Sequence, residues 1–136
     1  MQYIGYLLVI IHLFLLAWGL GGFTELVFSA VPWKPFTNQD FPTWWLPVHW
    51  GSVVITSIGF LYGYFRAWSK TPVFMMATYG MLALVCAVET FVFLTNKTKF
   101  VLMGTEYLTY TLILFLLFKS TYFINFFGQQ ENKHRA

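Results

Sequence analysis

The sequence predicts an all-α membrane protein, a bundle of four transmembrane helices, on three observations. Of its 136 residues, 58% are apolar and only 10% charged, with a mean hydropathy of +0.64; ordinary soluble domains carry about 25% charged residues. Four stretches reach the roughly 20 mostly apolar residues that a span of hydrocarbon requires. The basic residues fall between those stretches, as they do in membrane-spanning chains. This composition excludes intrinsic disorder and a collagen-like repeat. The single cysteine, Cys86, excludes an internal disulfide. A net charge of +3 is too dispersed to suggest a nucleic-acid partner.

The first span is expected over residues 3–26, which hold no Lys, Arg or Asp. With no positive residue before it and a long apolar run, it reads as a retained helix and not as a cleaved signal peptide. The connection that follows, residues 30–43, carries Pro32, Pro35 and Pro42, which forbid regular helix. The second span is expected over 46–65, with Pro47 in its first turn. Thr71 as N-cap and Pro72 in the first turn open the third, over 72–94. A short polar turn, Asn96-Lys-Thr-Lys99, precedes the fourth, over 101–118. Four spans consume most of the chain, so residues 1–136 form one domain. Helices are required because backbone groups in lipid must be satisfied within the segment, and the alternation of a membrane barrel is absent.

Orientation follows from charge. Arg66, Lys70, Lys119, Lys133 and Arg135 share the side of both termini, against Lys34, Lys97 and Lys99 on the other. Five against three places both termini in the cytoplasm. The membrane would be the endoplasmic reticulum in a eukaryote or the inner membrane in a bacterium. The sequon Asn96-Lys-Thr98 is expected to stay unmodified, because it lies so close to the bilayer.

Charged groups inside spans are costly and usually have a partner or a task. This topology puts Glu25, His49, Glu89 and Glu106 at similar depth in the outer leaflet, where Trp33, Trp44, Trp45 and Trp50 also gather. The set predicts a polar-floored, aromatic-walled ligand cavity, with Tyr107, Thr109 and Tyr110 lining it or bonding Glu89. The competing reading makes Glu25 and Glu106 markers of the headgroup region and the tryptophans interfacial anchors. Glu89 stands apart, because apolar residues flank it on both sides and its carboxyl needs a partner there.

His12 lies in the inner half of its span and His49 in the outer half, so the two cannot ligate one haem; an interhelical hydrogen bond, to a tyrosine or to backbone, is expected for His12. One histidine with three glutamates is also a poor zinc site, so no metal and no cofactor is expected. Gly19, Gly21 and Gly22, and the small-residue face of Gly80, Ala83, Ala87 and Thr90, read as packing surfaces. No nucleophile triad or phosphate loop occurs.

The run Tyr62-Gly-Tyr-Phe-Arg-Ala-Trp-Ser-Lys-Thr-Pro72, the segment Glu106-Tyr-Leu-Thr-Tyr110 and the exit Lys119-Ser-Thr-Tyr122 carry a resemblance. With four spans, a proline-bearing first connection and a basic tail, the chain resembles the sigma-2 receptor and emopamil-binding (EXPERA) family. The resemblance implies an intramembrane cavity for sterols or cationic amphiphiles. The family's acidic residue in the body of helix 1 has no counterpart near Gly19–Gly22, with Glu25 the nearest. Its glutamate in helix 2 is also absent, leaving His49 the only ionisable residue there. Sterol-isomerase chemistry, the one enzymatic reading, depends on acidic residues without counterparts here.

The expected function is therefore non-catalytic binding of a hydrophobic small molecule, whether sterol, lipid or cationic amphiphile, inside the membrane. Its expected site residues are Glu89, Glu106, His49, Glu25, Trp50, Tyr107 and Tyr110. The alternative is a structural or accessory subunit of a larger membrane complex, or a homodimer, motivated by 16 phenylalanines and no complete catalytic set. A proton- or cation-coupled transporter ranks third, since four helices would have to dimerise to form a pathway.

Overall fold

The computed structural model describes residues 2–28, 36 and 38–133, with side chains at 3–28, 36 and 38–128. Every regular element among them is helical: α1 (Gln2–Val27), α2 (Leu46–Phe65), α3 (Thr71–Val88), α4 (Lys99–Lys119) and α5 (Thr121–Lys133). A π-helical turn, Glu89–Phe93, continues α3. The long helices pack in chain order, α1 on α2, α2 on α3 and α3 on α4, while α1 and α4 make no comparable contact.

Among the described residues, three helices are long and apolar enough to cross a membrane: α1, α3 with its π-helical turn, and α4. The expected fourth, α2, has the anticipated bounds but falls short in apolarity. Its position explains why. Flanked by α1 and α3, it needs less apolar surface than a lipid-facing helix. Its small polar side chains turn back onto its own backbone: Ser52 Oγ donates to the His49 carbonyl (2.7 Å), Thr56 Oγ1 to Ser52 (2.8 Å) and Ser57 Oγ to Val53 (2.8 Å). All three are buried without leaving a polar group unsatisfied.

Local chemistry sets the helix ends. Pro47 and Pro72 occupy first-turn positions, as their fixed φ and missing N–H favour. Thr71, expected as the α3 cap, is instead its first residue. Lys70 holds the cap position without a side-chain bond, and the Thr71 hydroxyl donates to the Trp68 carbonyl. The α2 C-terminus closes as a Schellman motif: Trp68 N–H bonds the Gly63 carbonyl (2.9 Å) and Ala67 N–H that of Tyr64 (3.1 Å). That motif needs a left-handed residue, and Ala67 takes it at φ 46°.

The core lies toward the end that carries both termini. Leu8 of α1, Phe60 of α2, Met75 of α3, Leu117 of α4, and Phe123 and Phe127 of α5 are all nearly inaccessible. Helix α5 has no counterpart among the elements expected from sequence. The chain breaks at Ser120, which is extended (ψ 123°), and restarts so that Phe123 and Phe127 turn inward. His12 sits in the same layer, stacked on Phe60 at 3.9 Å. Its Nδ1 lies 2.7 Å from the Leu8 carbonyl, which can only accept, so Nδ1 carries the proton. Nε2 is then free to accept from the Tyr79 hydroxyl at 2.9 Å. This is the tyrosine bond expected for His12.

The glycines of α1 are packing positions. A Cβ on Gly22 would come within 2.1 Å of the Trp50 ring, and one on Gly19 within 2.8 Å of Val54. Gly80 departs from its expected packing role, because a Cβ there would meet nothing within 4 Å.

Candidate functional site

Glu89 is the first residue of the π-helical turn, where the Leu94 N–H reaches back five residues to the Glu89 carbonyl at 2.8 Å. Such turns displace a helix face locally and recur at functional sites. Here the turn carries a carboxylate that is 8% exposed toward two donors from α2 and the residue before it. His49 Nδ1 lies 2.6 Å from Glu89 Oε1, and Trp45 Nε1–H donates to the same oxygen at 2.8 Å. Both bonds are charge-assisted when the carboxylate is ionised, which makes them short and strong. On the α2 side, Trp45 and His49 are one helical turn apart, so a single acceptor can serve both. Aromatic rings shield the cluster: Phe93 packs edge-on against Trp45 (5.5 Å) and Phe41 lies 5.6 Å from the His49 ring.

A cavity of about 340 Å³ opens beside this cluster. Leu15 and Trp18 of α1, His49 and Val53 of α2, Tyr79, Leu82, Cys86 and Glu89 of α3, and Glu106 and Tyr110 of α4 line it. All four long helices thus contribute, and the cavity occupies the space left where α1 and α4 do not pack together. A second carboxylate enters from α4, where Tyr110 O–H donates to Glu106 Oε2 at 2.8 Å. Tyr110 also stacks on Tyr79 at 5.1 Å, which ties the wall to the His12 hydrogen bond. The chemistry on offer is recognition by two carboxylates and an imidazole set in mostly apolar walls. Among the described residues no group of three His, Cys, Asp or Glu side chains could hold a metal ion.

Four of the seven expected site residues meet at this cavity: Glu89, His49, Glu106 and Tyr110. The other three lie elsewhere. Glu25 is 6% exposed and accepts the Phe36 N–H at 2.9 Å, which ties Phe36 to the end of α1. Trp50 stands behind His49, edge-on at 4.4 Å, with its ring against Gly22 and its buried indole Nε1 without a partner among the described residues. Tyr107 faces a separate groove of about 300 Å³ with Gly80 and Ala83, and its hydroxyl donates to the Ala83 carbonyl at 2.8 Å. None of the Tyr107, Thr109 and Tyr110 hydroxyls bonds Glu89; Thr109 donates to its own helix at Thr105. The expected rim residue Trp33 lies outside the described residues.

From sequence, Trp45 belongs only to an aromatic rim, and Tyr79, Leu82 and Cys86 carry no site role. Spacing carried the missing signal. Tyr79, Leu82, Cys86 and Glu89 recur at intervals of three and four and so share one helix face, while Trp45 and His49 are an i, i+4 pair. No protein-family model matches the chain, and neither a curated protein nor a solved structure matches it.

Proposed function

We propose that this chain is an integral membrane protein that binds a hydrophobic small molecule without transforming it. In this reading α2 is a fourth span, screened by α1 and α3, and both termini face the cytoplasm. The membrane is the endoplasmic reticulum in a eukaryote or the inner membrane in a bacterium. The observation that carries the proposal is the cavity with His49 and Glu89 in its wall and Trp45 bonded to Glu89 beside it. Its volume, about 340 Å³, falls in the range of small-molecule pockets, which are mostly apolar with a few convergent polar groups.

The bonds from Trp45 and His49 both fall on Oε1 of Glu89. Among the described residues no hydrogen bond falls on Oε2, which leaves it as the acceptor for a ligand. The ligand should present a donor: the hydroxyl of a sterol or the ammonium of a cationic amphiphile. The resemblance to the sigma-2 receptor and emopamil-binding family read from residues 62–72, 106–110 and 119–122 implies the same class of ligand.

The test is native mass spectrometry of gently purified protein, with extraction of what it retains. Wild type should carry a sterol, lipid or amphiphile in near-stoichiometric amount, and Glu89→Gln should lose most of it. Equal retention by both proteins overturns the role of Glu89.

One observation favours a second reading, a subunit of a larger membrane assembly or a homodimer: α4 buries only Ile113 and Leu117. Blue-native electrophoresis separates the two, since a monodisperse monomer in mild detergent speaks against an obligate partner.

A further inference from the structure

A groove of about 210 Å³ lies at the end of the bundle that carries the termini, between the start of α3, the end of α4 and α5. Val73, Leu117, Phe118, Phe123 and Ile124 form its apolar walls, and Ser69 and Gly128 also line it. A cation stands beside each flank. Lys70 follows Ser69 and Lys119 follows Phe118, both exposed, and Arg66 is exposed one turn earlier at the end of α2. No ion pair involves these three side chains among the described residues, where the one pair is His49–Glu89. The carboxylates whose side chains are described belong to the other end: Glu25 near the end of α1, Asp40 in the connection, Glu89 in the π-helical turn and Glu106 early in α4, while Glu131 follows the groove residue Gly128 by three positions in α5.

An apolar groove bordered by exposed Lys70, Lys119 and Arg66 fits a particular occupant. A phospholipid can lay an acyl chain along Phe118, Phe123 and Ile124 while its phosphate reaches the lysines. A soluble anion would gain only the charge, and a zwitterionic lipid chiefly the groove. Basic pockets between membrane helices recognise anionic headgroups in this way. We propose that the α3–α4–α5 groove binds one anionic phospholipid of the leaflet on the side of the termini. The proposal rests on the transmembrane arrangement above and is independent of the ligand at Glu89.

The test uses the full chain, delipidated in mild detergent and titrated under native mass spectrometry. The probes are phosphatidylglycerol, phosphatidylcholine with the same acyl chains, and inorganic phosphate. Two lysines near a headgroup correspond to a preference of about thirty-fold for phosphatidylglycerol, which should weaken as salt rises. K70Q/K119Q should lose that preference while keeping its phosphatidylcholine affinity. Gly128→Leu places a side chain where a Cβ meets nothing within 4 Å, so it should fill the groove without disturbing packing and remove both lipids. Equal binding of the two lipids by wild type, a preference that survives K70Q/K119Q, or unchanged binding by Gly128→Leu would each overturn the site. Alkaline carbonate extraction reports separately on the membrane arrangement. Release of the chain refutes that arrangement, whereas a retained chain without lipid preference refutes only the groove.

Discussion

Breaking the His49–Glu89 pair should cost stability by an amount the geometry bounds. The carboxylate is 8% exposed and the imidazole 22%, so the pair is neither fully desolvated nor free in water. Hydrogen bonds between membrane helices average about 0.6 kcal/mol in double-mutant cycles and reach about 1.7. Charge-assisted bonds in soluble proteins run to about 1.5–3 kcal/mol. A contact of 2.6 Å with a partly open imidazole belongs where those ranges meet, so the coupling should be about 1–2 kcal/mol. His49→Ala, Glu89→Ala and the double variant form the cycle, read as unfolding free energies in mild detergent. Glu89→Ala should be the costlier single change, because it also orphans the Trp45 indole N–H, for about 3 kcal/mol in total. A coupling within about 0.3 kcal/mol of zero would mean that the two side chains are merely adjacent.

Glycine-to-alanine changes should split by position. Gly22→Ala drives a methyl group to 2.1 Å from the buried Trp50 ring and should destabilise by about 1–3 kcal/mol, whereas Gly80→Ala, in open space, should be neutral or stabilising; thermal unfolding followed by tryptophan fluorescence compares them. Ala67→Gly removes the left-handed strain at φ 46° and should stabilise by about 1 kcal/mol, so a lowered midpoint would count against the Schellman assignment. Phe123→Ala should cost about 3 kcal/mol, since that ring is fully buried, while Ile124→Ala, at 53% exposed, should cost little in detergent; equal costs would detach α5 from the core.

The four long helices were legible because a long apolar run is a local property of the chain, although only three of them reach the apolarity of a span. A span must be apolar and must satisfy its own backbone, and both requirements are written in consecutive residues. The α2 bounds, Leu46–Phe65, emerge from hydropathy and from Pro47 alone. Helix α5 escaped because its pattern is amphipathic: Phe123 and Phe127 read as a polar tail's stray aromatics until a core exists to receive them.

At the site, sequence determined the inventory, namely three glutamates and a histidine expected at one level: Glu25, His49, Glu89 and Glu106. It could not choose among them. Glu25 and Glu89 are both expected at the cavity, yet one accepts the Phe36 N–H and only the other lines the cavity. That choice was made by contacts spanning 40 residues between His49 and Glu89 and by a π-helical turn that redirects the end of α3. A helix face is set by the 3.6-residue period, but which face meets which neighbour depends on how the helices rotate and cross, and only their packing together decides it.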